Sequence, residues 1–412
     1  MAKIKTKSNE KLMIRKDEDT FMSWLCALWV LAITVFMPIY THYAYGDVLT
    51  TKYGVVLAAG LTLVGGFILW ALFARRISKY IGKMKSYADP QTGKWFWNWC
   101  KATFSLLDVF VLVFLIITII STLLASPYVY QAFFGNEGRW NGALILILYA
   151  LTYFIVSRYY RFKKWHMMVF LLAFLYICVW AITDYFMLDI NGFKNHISDE
   201  HYEIFVSSIG NIDTYTAVAM IPFAFAGIMF IQSEEKLWRI IFYWICFFTA
   251  MLSMITSAAD NAYLSFFAFF VFAPFIALKS RRGLRRYLVT VASFVSAIQL
   301  VVYWDRIFEG EVVKPAGVIS ICENIPQIKY LMIALWIIVV LVYIYDLAVK
   351  KVSIKTPLPK AVSMIWLVVV IALFGGIIAV LVLANKPDPY IPAILEPARE
   401  YLEFGHSWGT WR

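Results

Sequence analysis

Two regions of the chain carry residues able to do chemistry. In P-Y-V-Y-Q-A-F-F-G-N-E-G-R-W-N-G (127–142), Arg139 follows Gly135 and Gly138, which together allow a tight re-entrant turn. A guanidinium presented there can grip phosphate oxygens through two parallel N–H bonds. The plainer alternative is an arginine snorkelling to an interface. The second region joins S-S-I-G-N-I-D (207–213) with S-A-A-D-N (257–261). Asn211, Asp260 and Asn261 can line a polar cavity, or Asp260 or Asn261 can simply cap a helix. Segment 189–213 also holds His196, Asp199, Glu200, His201 and Glu203, but without metal-ligand spacing, and it reads as a solvated loop. The sequence contains no G-x-x-x-x-G-K-[ST] phosphate loop, no zinc-spaced Cys/His set and no H-E-x-x-H pair.

The elements that must position these residues are apolar runs. Eleven of them, at 21–43, 54–74, 104–127, 141–157, 166–188, 214–232, 239–256, 261–278, 287–304, 330–346 and 361–384, interrupt a chain of 412 residues. Each approaches the ~20 residues that cross a hydrocarbon core as a helix. A hydrophobic content of 62% and a mean hydropathy of +0.71 exclude a soluble or disordered class. If the N-terminus is cytoplasmic, the inner segments (1–20, 75–103, 158–165, 233–239, 279–286, 346–360) hold 28 of the 37 Lys and Arg. Cationic loops favour that side. The expected fold is therefore an all-α polytopic membrane helix bundle of about 11 transmembrane helices, N-terminus in and C-terminus out. It divides into a cytoplasmic basic tail (1–20), the bundle (21–384) and the start of a large extracytoplasmic loop (385–412).

The net charge of +11 is then a topology signal, and no basic stripe with stacking aromatics points to nucleic acid. The five cysteines build no disulfide framework. Segment 75–103, with Trp95, Phe96, Trp97 and Trp99, reads as an amphipathic stretch on the inner leaflet. The first 20 residues are too charged for a cleaved signal peptide, which makes the first span an uncleaved signal anchor. Pro397 fits the first turn of a short helix near 393–403.

Four stretches in order resemble the O-antigen ligase and polysaccharide polymerase family of membrane proteins, in its Gram-positive form. A-F-F-G-N-E-G-R-W-N-G, leading to a Tyr-rich span that ends S-R-Y-Y, is similar to the family's early outer loop. S-S-I-G-N-I-D-T-Y-T-A-V-A-M-I-P resembles its G-N-x-N segment, and I-T-S-A-A-D-N-A-Y-L-S-F its S-D-S-x-x-L-G element. F-G-H-S-W-G-T-W-R resembles the start of its large outer loop. Together they cover about 125–412.

The resemblance implies a metal-independent glycosyltransferase, without cofactor, in the bacterial plasma membrane. Its donor would be an undecaprenyl-diphosphate-linked glycan and its acceptor a glycan or lipid, with membrane lipids and other polysaccharide-assembly proteins as partners. By matching position, Arg139 and Arg412 would bind the diphosphate, and Asn211, Asp260 and Asn261 would line a polar cavity open to the outside. His406 would be the acid/base candidate. The sequence departs from the family at Asp213, Ala259 and Asn261, and its last residue, Arg412, stands where the catalytic loop would begin. Activity would then require further residues, in cis or from a second chain. The competing expectation is a transporter or flippase for lipid-linked oligosaccharide, which predicts internal repeats and broken helices at the midplane; no repeat is visible. A glycosyltransferase with paired carboxylates in its first outer loop is a third reading, but 44–53 offers only Asp47.

Overall fold

The computed structural model describes residues 20–73, 95–125, 127–136, 139–198, 201–313, 322, 325, 327–348, 358–386, 391–392 and 402. Among the described residues fourteen α-helices follow one another in chain order. They are α1 (Thr20–Ile39), α2 (Val48–Phe73), α3 (Phe96–Thr103), α4 (Leu106–Leu124), α5 (Val129–Phe134), α6 (Ala143–Tyr159) and α7 (Lys164–Tyr185). After them come α8 (Ile212–Gln232), α9 (Leu237–Thr256), α10 (Asn261–Phe272), α11 (Pro274–Ala277), α12 (Arg281–Ile307), α13 (Ile328–Ala348) and α14 (Lys360–Ala384). A minimal antiparallel hairpin, β1 (Phe205–Val206) and β2 (Gly210–Asn211), precedes α8.

Among the described residues, nine helices of 19 to 27 residues are long and apolar enough to cross a membrane. At 1.5 Å per residue they reach about 28–40 Å. The other two apolar runs fold as shorter helices, α6 and the proline-divided pair α10–α11. Large apolar side chains stay exposed along α4, α13 and α14, Phe110, Ile117, Leu341 and Ile371 among them. Hydrocarbon tolerates such a surface and water does not. The protein is a helical, multi-pass membrane protein.

Contacts divide the chain into two compact units, Met1–Ala173 with Gly192–Asp199, and Phe174–Asn191 with Glu200–Arg412. In the first, Met22 and Cys26 of α1, Leu63 of α2, and Ile155 and Tyr159 of α6 form one buried cluster. A π-helical turn, Ala32–Phe36, precedes Pro38 in α1. The end of this helix is capped from α2, where the Lys52 ammonium donates to the carbonyls of Met37 (2.6 Å), Pro38 (2.8 Å) and Tyr40 (2.8 Å). A cation there satisfies carbonyls that a helix end leaves open.

The start of α4 follows from S-x-x-D. Ser105 accepts from the Asp108 amide (3.2 Å), and Asp108 Oδ2 accepts from the Ser105 amide (2.8 Å), a reciprocal cap. The other oxygen, Oδ1, reaches α6, accepting from Tyr153 (3.0 Å) and pairing with Arg158 (3.6 Å).

The second unit centres on aromatic packing. Phe223 of α8 stacks on Phe247 of α9 (5.0 Å) and meets Phe269 of α10 (4.9 Å). Pro274 divides α10 from α11 because it has no N–H to give the carbonyl of Phe270. Tyr287 of α12 supplies that bond instead (2.8 Å), and Trp366 of α14 donates to the neighbouring Val271 carbonyl (2.9 Å). A broken helix inside a membrane is stable only when its freed carbonyls find such partners. Two serines of α12 receive indole N–H groups, Ser293 from Trp244 of α9 (3.1 Å) and Ser296 from Trp336 of α13 (2.9 Å).

Candidate functional site

In the first unit, the loop that carries Arg139 is built by two glycines. Helix α5 stops at Gly135, whose φ of +86° ends the helix with a reversal. The amides of Arg139 (3.1 Å) and Trp140 (3.0 Å) both return to the Asn136 carbonyl. A Cβ on Gly142 would strike the Gly135 nitrogen and the Phe133 carbonyl, so the loop closes only because Gly142 has none. Trp140 then stacks on Tyr53 of α2, with ring centroids 5.2 Å apart and planes 16° apart. Its indole N–H also reaches Thr50 (3.4 Å). Arg139 is exposed, and its guanidinium makes no hydrogen bond or ion pair with any described residue. Lys52, the other cation of this region, is fully engaged on the end of α1. Arg139 is therefore an exposed five-donor fork, without a partner among the described residues, on a braced turn beside an aromatic pair, suited to an anion. Gly138 lies outside the described residues.

In the second unit, Asn211 and Asn261 meet around the start of α8. Asn211 is the N-cap of α8, its side-chain oxygen accepting from the Asp213 amide (2.9 Å). Asn261, the first residue of α10, donates to the Asp213 carbonyl (2.8 Å) and accepts from the Thr216 hydroxyl. Asn211 thus caps α8 while Asn261 ties α8 to α10, and both are engaged by the fold itself. Asp260 occupies the N-cap position of α10, but its backbone is helical and its side chain accepts no capping bond. Its carboxylate is exposed.

Next to this network the unit buries further polar groups. The Tyr215 hydroxyl donates to Ser253 (2.6 Å), which donates on to the Ala250 carbonyl (2.8 Å). Asp184, 1% exposed, accepts from the Ser207 amide (2.6 Å). Ser207, itself buried, holds a φ of +54°, a strained geometry for serine that aims this amide at the carboxylate. Burial, then the nearby carboxylates of Asp189 and Asp184, raise the Tyr202 hydroxyl above its ordinary pKa, so it remains protonated. The Ser265 hydroxyl donates to the Asn261 carbonyl (3.2 Å) and contacts the Met220 sulfur (3.3 Å). From that pair an apolar groove of about 640 Å³ runs along α8 and α10–α11, past Ala224, Ala268, Phe272 and Ile276. A polar network thus adjoins an apolar groove.

His406 and Arg412 lie outside the described residues, as do Asp199, Glu200 and nearly all of 387–412, including the helix expected near 393–403. His201 and Glu203 are exposed, and among the described residues no group of three His, Cys, Asp or Glu side chains is placed to hold a metal. The sequence reading did not identify Asp184 and Ser207 as partners. Asp184 is a lone acid near a span end, and the Ser207 amide that donates to it lies 23 positions away. No family model, no curated protein and no solved structure matches this chain.

Proposed function

We propose that this protein crosses the bacterial plasma membrane eleven times, N-terminus in, and transfers glycan from an undecaprenyl-diphosphate donor on the outer face. The observation that carries this reading is the continuity, within the second unit, of the Asn211–Thr216–Asn261 network with the apolar groove. A polyprenyl diphosphate donor offers a polar head joined to a long hydrocarbon chain, and such a surface accommodates both. Support also comes from the four stretches that resemble, in order, those of O-antigen ligases and polymerases, and from Arg139, exposed on a braced turn.

Departure of the diphosphate builds negative charge, which fixed guanidinium groups stabilise. The family resemblance gives that role to Arg139 and Arg412. The acceptor hydroxyl needs a base, and His406 and Asp260 are the candidates. The test is transfer of labelled glycan in proteoliposomes, with the 412-residue chain and with a family-like C-terminal extension. Arg139→Lys is expected to reduce transfer by about tenfold or more, because the bidentate fork is lost while the charge remains. Full transfer by Arg139→Lys would refute the diphosphate role. Movement of the labelled lipid across the bilayer without transfer would favour a flippase.

A further inference from the structure

At the end of the second unit opposite to Asn211, four arginines crowd the first turns of α12. Arg281 and Arg285 converge on Asp346 of α13, at 2.6 and 3.5 Å. Arg282 pairs with Glu234 of the α8–α9 turn (3.0 Å), and Arg286 donates to the last carbonyls of α8, Phe230 (2.8 Å) and Ser233 (2.6 Å). Arg239 pairs with Glu235 (3.1 Å), which also accepts from Tyr243 (3.1 Å). Lys236 and Lys279 stand exposed in the same two turns. Against these seven cations the described residues of the cluster supply three carboxylates, Glu234, Glu235 and Asp346.

The excess falls where a helix tolerates it least. The N-terminus of a long helix carries partial positive charge and favours acids, yet the first turn of α12 contains none. Gly283 brings this end close to α11, where a Cβ would strike the Ala277 carbonyl. The arginine side chains are only 15–21% exposed for Arg281, Arg282 and Arg285, so water screens them poorly. Arg285 also lies over the Tyr343 ring (4.1 Å), and its buried Nε has no hydrogen-bond partner among the described residues. Glu234, by contrast, is 59% exposed and so is the most readily displaced carboxylate.

From these contacts we infer that the Arg281–Arg286 cluster binds a phosphate-bearing anion, which competes with Glu234 for Arg282. Two sources share this chemistry, the headgroup of an anionic phospholipid and free phosphate. The site sits at the ends of α12 and α13, both long enough to cross a membrane, and the end of a spanning helix is where headgroup phosphates are met. It does not depend on the transfer reaction proposed above.

The purified protein in zwitterionic phosphatidylcholine nanodiscs would be titrated with phosphatidylglycerol, and separately with inorganic phosphate, with bound anion read by native mass spectrometry. Preferential retention of phosphatidylglycerol assigns the lipid source; saturable phosphate binding without it assigns the soluble one. Arg282→Gln is expected to weaken binding about tenfold, and Glu234→Gln to strengthen it severalfold by removing the competitor. The opposite signs separate a ligand site from a purely structural ion pair. Equal retention of both lipids with no phosphate binding would overturn the inference, as would both variants shifting affinity in one direction.

Discussion

Replacing Asp108 by Asn and Arg158 by Met, singly and together, isolates the tie between α4 and α6. The pair lies 3.6 Å apart, which at an effective dielectric of ~20 corresponds to an attraction of about 4–5 kcal/mol before desolvation. Three features reduce the net value. The Asp108 side chain is 4% exposed and Arg158 27%, so one partner keeps access to water. Arg158 also donates to the Phe154 carbonyl (3.3 Å) and lies over the Phe104 and Phe154 rings, contacts that survive loss of the carboxylate. Asn at 108 can still accept from the Ser105 amide, preserving the cap. Polar pairs between membrane helices contribute less than isolated charges suggest, rarely above ~2 kcal/mol. A coupling of about 1–2 kcal/mol is expected, with a single-variant cost of ~2 kcal/mol for Asp108→Asn. Unfolding of the four proteins in mixed micelles, followed by tryptophan fluorescence across a denaturing-detergent titration, yields the cycle. Salt should change the coupling little, since the pair is largely buried. Additivity within ~0.5 kcal/mol would refute the claim that this pair joins the two helices.

Other outcomes follow from the same contacts. Gly142→Ala should destabilise the protein by ~2 kcal/mol or more, through the clash with Gly135 and Phe133, whereas Gly54→Ala, with nothing within 4 Å, should be neutral or slightly stabilising in the same titration. Lys52→Met strips three carbonyls of one shared donor and should cost ~2–3 kcal/mol, while Lys52→Arg recovers part of it. In a cysteine-free background, Glu309→Cys should react with a membrane-impermeant maleimide added to whole cells and Lys279→Cys should not; the reverse pattern would invert the proposed topology. Tyr287→Phe leaves the Phe270 carbonyl without its donor and should cost ~1–3 kcal/mol, a loss that Pro274→Ala in the same chain should largely remove.

The helices were legible because a bilayer imposes a length, and every apolar run coincides with a helix or, at 261–278, with the pair α10–α11. Pro274 marks the break in that pair from sequence alone. Its repair does not, since Tyr287 lies 17 residues from Phe270 and Trp366 lies 95 from Val271. Gly135 marks the reversal before Arg139 from sequence alone, a local property, whereas the dependence of the loop on Gly142 appears only from its contacts with Phe133 and Gly135. The joining of Asn211 to Asn261 was not readable, because it runs through the Asp213 backbone and the Thr216 hydroxyl. Arg281 to Arg286 read simply as loop charge. Periodicity and composition do not reveal that three of them share two carboxylates, Asp346 and Glu234, on other segments. Side chains that choose partners across folded space leave little trace in neighbouring residues.

The pairing of Arg281 with Asp346 has a consequence in time. The two residues are 65 positions apart. At ~5–20 residues per second, synthesis leaves roughly 3–13 s between them. During that interval the Glu234 and Glu235 carboxylates are already made, but the acid that holds Arg281 and Arg285 is not. The nascent chain therefore shows its greatest positive charge at this loop while α12 and α13 are entering the membrane. That is when an anchoring charge decides which way the next hairpin inserts. In the proposed topology Asp346 then arrives as a latch, closing a cluster that was open while the anchoring charge acted. Removing that acid would leave the earlier charge as it is and loosen only the finished cluster, where Arg281 and Arg285 would lose their shared carboxylate.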